Sequence, residues 1–246
     1  MTGEIDDNGY ILITGAGRRV GLHVAESLLK DGYRVIAHYR TPTEGVAELE
    51  AAGAITLQAE LTETDEVMRL IDAIRERNLP LRAIIHNASL FETTSEDLDA
   101  ALEQYERFVA VHMRAPYAIN TALAPLLHGT PEAPADIIHI TDIFADNPNP
   151  VFDIYCSTKA GLQNLMLSFA KRLAPTVKVN AIQPGPVLFK DSHTPEMRER
   201  VLSETLLAKE GGAEAIYRAV KALLENPYIT GATLPVDGGR RLAQRV

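Results

Sequence analysis

The chain has 246 residues, a formal net charge of −9 at pH 7 and 46% hydrophobic residues, enough to fill a substantial core. This length suits one large α/β domain, so we expect residues 1–246 to form a single domain. The acidic balance argues against a nucleic-acid partner, whose phosphates would be repelled. A single cysteine, Cys156, excludes an intrachain disulfide and fits a reducing compartment. Because the segment from Met1 to Gly9 lacks the features of a signal peptide and no apolar run approaches ~20 residues, we expect a cytoplasmic protein without a membrane partner.

Short apolar runs alternate with longer amphipathic runs along the chain. The first part is predicted to contain strand Tyr10–Thr14, helix Gly21–Asp31, strand Arg34–Tyr39, helix Glu44–Ala52, strand Ile55–Ala59, helix Thr64–Arg77 and strand Leu81–His86. The second part continues with helix Leu98–Leu127, strand Asp136–Thr141, helix Ile154–Leu173, strand Val177–Ile182, helix Ala213–Glu225 and strand Thr233–Val236. Pro116 allows a bend in the long helix. The alternation predicts an α/β fold, a Rossmann-like doubly wound parallel sheet of about seven strands with helices on both faces.

The stretch Gly185–Gly212 contains no clear strand. In a parallel sheet of this kind, such a segment lies near the carboxyl ends of the strands, where ligands bind.

A glycine-rich turn, Thr14-Gly-Ala-Gly-Arg-Arg-Val-Gly21, joins the first predicted strand to the first helix. Bare backbone can approach a pyrophosphate there, and the helix N-terminus supplies N–H donors and positive potential. The residues of this turn that we expect to bind a dinucleotide are Gly15, Gly17, Arg18, Arg19, Val20 and Gly21. The side chain of Arg19 could reach a phosphate, project into a substrate pocket, or lie exposed in the loop.

The second predicted strand ends in four residues that we expect to meet the cofactor: His38, Tyr39, Arg40 and Thr41. NAD-selective sites usually place an acidic residue here, on the ribose hydroxyls, and none is present. Arg40 and Thr41 could instead receive a 2′-phosphate, with Arg18 nearby, so we expect NADPH rather than NADH. Glu60 and Leu61 close the third strand, where a carboxylate could meet the adenine amino group, although Glu60 could equally be a solvated loop residue.

Tyr155 and Lys159 form a Y-x-x-x-K pair within the predicted helix Ile154–Leu173. This spacing puts the phenol and the ammonium on one helix face, one turn apart. A cation so placed favours the phenolate and would lower the tyrosine pKa from ~10 toward neutrality, which makes a proton donor for a carbonyl or an imine. Taken alone, the pair could also be a surface lysine beside a half-buried tyrosine.

Motifs at five places complete the pattern: the glycine turn, His86-Asn87-Ala88-Ser89 after the fourth strand, the Tyr155/Lys159 pair, Pro184-Gly185 after the sixth strand, and Asp237-Gly238-Gly239. In this order they resemble the short-chain dehydrogenase/reductase family over nearly the whole chain. Within it the chain is similar to the pteridine reductases, above all the bacterial dihydromonapterin reductases. The narrower resemblance rests on G-x-R-R-x-G in the turn, H-Y-R after the second strand, N-A-S-x-F at Asn87–Phe91, Ala115-Pro116-Tyr117, and I-I-H-I-T-D at Ile137–Asp142.

The resemblance implies an NADPH-dependent enzyme that passes hydride to a 7,8-dihydropterin, with dihydromonapterin as the best substrate and dihydrofolate as a weaker one. The further cofactor contacts that it implies are Asn87, Ala88, Ser89, Lys159, Pro184 and Gly185. Phe91 would stack on the pterin ring, and Arg19, Asp142 and Tyr155 would complete the substrate site. The resemblance also implies a homotetramer built through the two longest helices, and no metal ion.

Three positions depart from the wider family. The pattern T-G-x-x-x-G-x-G would place glycine where Arg19 stands. Asp142 occupies the place of the usual serine, as in pteridine reductases; a carboxylate is a poor partner for a ketone oxygen but can pair with Tyr155 and assist proton delivery to a ring nitrogen. The family's asparagine falls on His112, which could hold a water-linked contact to Lys159 or only pack within the helix.

Two other functions remain open. An ordinary ketone or 3-oxoacyl reductase of the same superfamily is one, and Asp142 in place of serine speaks against it. A catalytically inactive NADPH-binding sensor is the other, and the intact Tyr155/Lys159 pair speaks against that. Consumption of NADPH with dihydropterins, compared with ketones, distinguishes the three.

Overall fold

The computed structural model describes residues 9–190 and 193–242. Its strands are β1 (Tyr10–Thr14), β2 (Arg34–Tyr39), β3 (Ile55–Gln58), β4 (Leu81–His86), β5 (Ala135–Ile140), β6 (Val177–Pro184) and β7 (Thr233–Val236). Within the described residues these seven strands form one parallel sheet in the order β3-β2-β1-β4-β5-β6-β7. The order reverses between β1 and β4, which is the point where open α/β sheets leave a crevice for ligands. The predicted Rossmann-like, doubly wound sheet is confirmed.

Helices cover both faces of this sheet. They are α1 (Arg19–Lys30), α2 (Glu44–Ala51), α3 (Thr64–Glu76), α4 (Leu98–Val109), α5 (Ala115–Leu123), α6 (Asp153–Leu173), α7 (Pro195–Ser203) and α8 (Ala213–Glu225). Side chains of β1 alternate between two apolar cores: Leu12 packs with α3, α5 and α6, whereas Ile11 and Ile13 pack with α1, α2 and α8. Burial on both faces explains why the strands read as nearly continuous apolar runs. Among the described residues, no helix is both long and apolar enough to cross a membrane.

The predicted long helical stretch Leu98–Leu127 is confirmed as helical up to Leu126, but it is not a single α-helix. A π-helical turn at Ala110–Arg114 separates α4 from α5. The wider turn carries His112 into the interior, where its side chain is fully buried. Pro116 follows in the first turn of α5, which continues directly from the π turn, and it has no N–H to donate to a carbonyl of that turn. Single π turns of this kind occur often at functional sites.

Helix α7 lies inside the stretch Gly185–Gly212, for which no helix was predicted. Its sequence is polar and only Val201 is buried, so it lacks the apolar periodicity that marks a helix. Its start is nevertheless well formed, because the side chain of Thr194 accepts a hydrogen bond from the backbone N–H of Met197 at 3.2 Å. The other predicted elements are confirmed, with ends that differ from the predictions by one or two residues.

Candidate active site

A cavity of about 1080 Å³ opens at the carboxyl ends of the strands, across the point where the strand order reverses. The residues predicted for the cofactor and substrate sites all line it: Gly15, Gly17, Arg18, Arg19, Val20, Gly21, His38, Tyr39, Arg40, Thr41, Glu60, Leu61, Asn87, Ala88, Ser89, Phe91, Asp142, Tyr155, Lys159, Pro184 and Gly185. The parallel sheet thus brings together residues at the carboxyl ends of β1 to β6 and residues of helix α6, and their individual roles remain predictions. In the part of the chain that the structure describes, no group of three or more His, Cys, Asp or Glu side chains is placed to hold a metal ion.

The glycine turn presents bare backbone beside the N-terminus of α1. Gly15 has a φ of +69°, and a Cβ there would lie 2.8 Å from the Cα of Ala88. A Cβ on Gly21 would lie 2.2 Å from the carbonyl oxygen of Gly15. The amide of Asn87 donates to the carbonyls of Thr14 and Gly15 at 3.0 Å each, which holds the turn in place. The turn therefore forms a cradle that fits a phosphate group.

His38 supports this turn from the end of β2. Its Nδ1 accepts a hydrogen bond from the backbone N–H of Gly15 at 3.1 Å, so its Nε2 carries the proton and donates to the carbonyl of Ala59 at 3.0 Å. Burial lowers the pKa of His38 below its ordinary value. The ring is therefore neutral, and it shapes the cofactor site rather than supplying a charge to it.

Arg18 and Arg40 line the cavity, and neither guanidinium has a strong ionic partner among the described residues. The Nε of Arg40 lies 3.9 Å from a carboxylate oxygen of Glu60, and both side chains are partly exposed. Such a pair contributes little, so it leaves the guanidinium free to engage a stronger anion. The guanidinium of Arg18 makes no hydrogen bond or ion pair with any described residue.

Arg19 adopts a left-handed backbone with a φ of +54°, which accounts for the glycine that the wider family places there. For a residue with a Cβ this conformation costs roughly 1–2 kcal/mol. Its guanidinium donates to the carbonyls of Leu188 at 2.8 Å and Phe189 at 3.3 Å. Arg19 therefore ties the segment after β6 to the glycine turn, in addition to lining the cavity.

Asp142, Tyr155 and Lys159 meet at the centre of the cavity wall. The phenol of Tyr155 donates a hydrogen bond to Oδ2 of Asp142 at 2.8 Å, and Oδ1 of the same carboxylate accepts from the backbone N–H of Phe144 at 2.9 Å. The Nζ of Lys159 donates to the carbonyl of Ile140 at 2.9 Å and lies 5.7 Å from the centroid of the Tyr155 ring. The ring and the ammonium share one face of α6, as the four-residue spacing predicts.

The predicted lowering of the Tyr155 pKa by Lys159 is wrong for this arrangement. Burial and the neighbouring Asp142 carboxylate raise the pKa of Tyr155 well above its ordinary value. Burial also raises the pKa of Asp142 and lowers the pKa of Lys159 to about 8. A carboxylate in direct contact with the phenol and the loss of water around it outweigh a cation on the far side of the ring. The phenol therefore keeps its proton at neutral pH and shares it with Asp142.

His112 packs beneath this group and does not bond to Lys159. Its Nε2 accepts from the backbone N–H of Leu90 at 3.2 Å and lies 3.0 Å from the hydroxyl of Ser89. Its Nδ1 lies 2.8 Å from the hydroxyl of Thr158 in α6. Burial lowers the pKa of His112 well below its ordinary value, with Lys159 adding to the effect. The neutral ring joins the loop after β4 to the helix that carries Tyr155.

A wall of nearly parallel aromatic rings borders the reacting groups. Phe91 stacks on Phe152 with centroids 4.7 Å apart and ring planes at 20°, and Phe152 stacks in turn on Phe144 at 6.2 Å. Phe91 also meets the ring of Tyr155 edge-on at 4.9 Å. Neither Phe144 nor Phe152 was predicted as a site residue. Both lie between Asp142 and Tyr155 in the sequence, and this position could have indicated that they border the site.

The segment after β6 and helix α7 supply further lining residues that were not predicted: Lys190, His193, Met197, Arg200 and Val201. They belong to the stretch Gly185–Gly212, which was predicted to lie near the ligands but without individual residues.

A glycine cradle at a helix N-terminus, open to a buried Tyr–Lys pair across the crevice of a doubly wound sheet, defines a nucleotide-dependent oxidoreductase. The short chain dehydrogenase family matches residues 9–199 of this chain. The chain belongs to the short-chain dehydrogenase/reductase family.

The chain is most usefully compared with three relatives. It is 39% identical over 234 residues to the dihydromonapterin reductase of Klebsiella pneumoniae subsp. pneumoniae, covering 94% of this chain and 96% of that protein. It is 38% identical over 237 residues to the dihydromonapterin reductase of Citrobacter koseri, with the same coverage of 94% and 96%. Its fold is similar to that of the FolM alternative dihydrofolate reductase 1 from Brucella canis complexed with NADP, with a TM-score of 0.86, 31% identity, and coverage of 98% of this chain and 97% of that chain.

Proposed function

We propose that this protein is an NADPH-dependent reductase of 7,8-dihydropterins, with dihydromonapterin as a substrate and dihydrofolate as a weaker one. The observation that carries the proposal is the carboxylate of Asp142, hydrogen-bonded at 2.8 Å to the phenol of Tyr155 where the wider family has serine. Identities of 39% and 38% to dihydromonapterin reductases, over almost the whole chain, support it. So does the similarity to a FolM structure that contains NADP.

The residues of the cavity fit a dinucleotide phosphate. The cradle around Gly15 and the N-terminus of α1 would hold the pyrophosphate. Glycine at both positions allows this shape, because a Cβ at Gly15 would collide with Ala88 and a Cβ at Gly21 with the carbonyl of Gly15. Arg40 and Arg18 would hold the 2′-phosphate, and Lys159 would bind the nicotinamide ribose. Bound NADPH supplies the hydride that reduces the imine carbon of the pterin.

Proton delivery falls to Asp142 and Tyr155. The imine nitrogen needs one proton as the adjacent carbon gains hydride and the C=N bond becomes a C–N single bond. Tyr155 donates that proton and is left as a phenolate, which the nearby ammonium of Lys159 stabilises until solvent returns the proton. Asp142, whose pKa burial raises, orients the phenol through its hydrogen bond. An ionised carboxylate at this place would repel the oxyanion that forms in ketone reduction, so the pair favours an imine. Phe91 offers its face for stacking, worth about 1 kcal/mol beyond burial.

The proposal is tested by the rate of NADPH oxidation with dihydromonapterin, dihydrofolate and a panel of ketones. We expect turnover with the dihydropterins and negligible rates with ketones. Asp142→Ser should lower kcat/KM for dihydromonapterin by about tenfold or more, since it removes part of the proton-delivery group, and should admit weak ketone reduction. Asp72→Ser, an exposed carboxylate on α3, is the matched control and should leave both rates unchanged.

Two results would count against this function. Efficient ketone reduction by the parent enzyme, with dihydropterins ignored, would make it an ordinary ketone reductase. Full dihydropterin activity in Asp142→Ser would leave Asp142 with a structural role only.

We also infer that the protein forms a homotetramer in the cytoplasm. On α4, Leu98, Leu102 and Tyr105 are 71%, 57% and 46% exposed, and their spacing places them on one helix face. Leu167 on α6 is 42% exposed. Apolar side chains exposed on these two helices favour burial against another copy. Light scattering should show a tetramer that Leu102→Glu dissociates, and an unchanged mass in that variant would exclude α4 from the interface.

A further inference from the structure

The rim of the cavity beside the aromatic wall carries cations, although the chain as a whole has a net charge of −9. Lys190, in the segment after β6, and Arg200, on α7, both line the cavity. The Nζ of Lys190 donates to the carbonyl of Phe91 at 2.8 Å and lies 5.1 Å from the centroid of its ring. The ammonium of Lys190 therefore lies over the ring of Phe91, within the aromatic wall on which a flat heterocycle would stack.

Backbone carbonyls, rather than carboxylates, hold these cations among the described residues. Lys190 donates to the carbonyl of Phe91, and Arg198 donates to the carbonyls of Lys190 at 3.0 Å and His193 at 3.2 Å. The guanidinium of Arg200 makes no hydrogen bond or ion pair with any residue in 9–190 or 193–242. A carbonyl fixes the position of a cation but leaves its charge uncompensated.

The nearby carboxylates are engaged elsewhere. Glu204 pairs with Arg240 at 2.7 Å, and Glu210 accepts from the backbone N–H of Phe189 at 2.6 Å. Glu92, which does favour the charge of Lys190, lies 3.4 Å from the guanidinium of Arg107. These three carboxylates therefore form no ion pair with Lys190 or Arg200.

Lys190, Arg19 and Arg198 lie close enough to affect the pKa values of neighbouring groups. Burial and then the charge of Arg19 lower the pKa of Lys190. Burial, followed by Lys190, Arg198 and Arg19, lowers the pKa of His193. Groups that disfavour each other's charge are stabilised together when an anion lies between them.

We propose that Lys190 and Arg200 form an anion subsite for the side chain of the substrate, so that the enzyme prefers a dihydropterin whose short side chain ends in a phosphate ester, while the carboxylates of dihydrofolate, which lie beyond a longer linker, gain less from it. This inference rests on the proposed function. A 7,8-dihydropterin carries its side chain on the imine carbon that receives the hydride, and that carbon must lie close to Tyr155 and Phe91. Phe91 is 4.9 Å from the Tyr155 ring and 5.1 Å from the Nζ of Lys190, so a side chain that starts there reaches the rim within a few atoms.

The test compares kcat and KM for neutral dihydromonapterin, its phosphate monoester and dihydrofolate in the parent, Lys190→Met and Arg200→Met. In the parent we expect a KM for the ester about tenfold below that of the neutral compound, the scale of one charge-assisted hydrogen bond at a partly exposed site. Each variant should remove most of this advantage and should raise the KM for dihydrofolate by a smaller factor. Arg200 is exposed, so Arg200→Met should fold normally. It therefore gives a usable comparison even if Lys190→Met is unstable.

Lys30→Met, on an exposed position at the end of α1, is the matched control and should keep the parent's preference. Added salt should reduce the preference in the parent, because the Debye length falls from about 30 Å at 0.01 M to about 8 Å at 0.15 M. The phosphate ester tests whether the subsite binds a phosphate, and dihydrofolate tests whether it binds a carboxylate. A subsite that binds only one of these groups changes the KM of only one compound.

Equal KM values for the neutral compound and for both charged ones, unaffected by salt, would overturn the subsite while leaving the proposed function intact. A weaker Kd for NADPH in Lys190→Met, with the preference among pterins unchanged, would assign the cations to the cofactor phosphates and overturn it as well. Absence of turnover with every dihydropterin would instead refute the proposed function, and the subsite with it.

Discussion

Acid should destabilise this protein through a histidine buried below the active site. His86 ends β4, and its Nε2 lies 2.7 Å from Oδ1 of Asn120, while its ring meets that of His139 edge-on at 5.0 Å. Burial lowers the pKa of His86 to about 4, with the hydrogen bond to Asn120 as a smaller, opposing effect. In the unfolded chain the same side chain titrates near ~6.5.

The sign follows from the proton count. Between pH ~6.5 and ~4 the unfolded chain binds a proton at His86 that the folded protein excludes, so the free energy of unfolding falls as the pH falls through that range. The full shift corresponds to about 3 kcal/mol, of which about 2 kcal/mol is lost by pH ~5. Above pH ~6.5 the neutral form prevails in both states and His86 no longer contributes to the pH dependence.

The assay is urea unfolding of the parent and of His86→Gln at about pH 7.5 and about pH 5. Glutamine keeps an N–H donor for Asn120 but does not titrate, so the parent should lose about 2 kcal/mol more than the variant between these conditions. Groups with shifted pKa values that do not contact His86, such as Asp142 and His112, titrate in both proteins and largely cancel in the difference. His86 also lowers the pKa of the neighbouring His139, so that ring contributes to the measured difference. If the difference in unfolding free energy is the same at both pH values, His86 is not held neutral and the reasoning fails.

Three further predictions concern the cofactor and proton sites. Arg40→Asp should weaken NADPH binding by about tenfold or more and NADH binding far less, measured as Kd, because it removes a charge-assisted contact to the 2′-phosphate; equal losses would place that phosphate elsewhere. Tyr155→Phe and Lys159→Ala should each lower kcat by about 10² or more in a folded protein, and near-normal turnover in Tyr155→Phe would move the proton donor to Asp142 or water. Arg19→Ala should be about 1 kcal/mol less stable to urea than Arg19→Gly, because only glycine tolerates the left-handed backbone without strain; equal stabilities would argue against that conformation.

The sheet could be predicted because strands that are buried on both faces have a simple sequence pattern. Runs such as Tyr10–Thr14 and Leu81–His86 are apolar, short and bounded by turn residues, and they were placed without error. Parallel strands then bring their carboxyl ends to one edge, so residues as distant as Gly15, Asn87 and Asp142 had to converge once the strand order was known.

The parts that could not be predicted depend on contacts between distant segments. Helix α7 is polar on most of its surface, so its existence depends on a capped start and on its place over the cavity rather than on periodicity. Pro116 indicated a bend in the long helix, but the π form of the turn at Ala110–Arg114 was not predicted, because its residues would also suit an ordinary α-helix. Lys190 looks in the sequence like any surface lysine, and only the structure places it on Phe91.

The wrong prediction for the Tyr155 pKa shows that burial is the quantity that could not be read from the sequence. Spacing gives the distance to Lys159 but says nothing about burial, and burial moves Asp142, Tyr155 and Lys159 all toward their neutral forms. The phenol therefore keeps the proton that a reductase needs, and the lysine holds its charge less firmly than a surface lysine would. Charge is instead concentrated at the exposed rim, on residues such as Arg18, Arg40 and Arg200. The cavity thus separates a proton-holding interior, suited to the reduction of an imine, from a cationic rim, suited to the selection of anionic ligands.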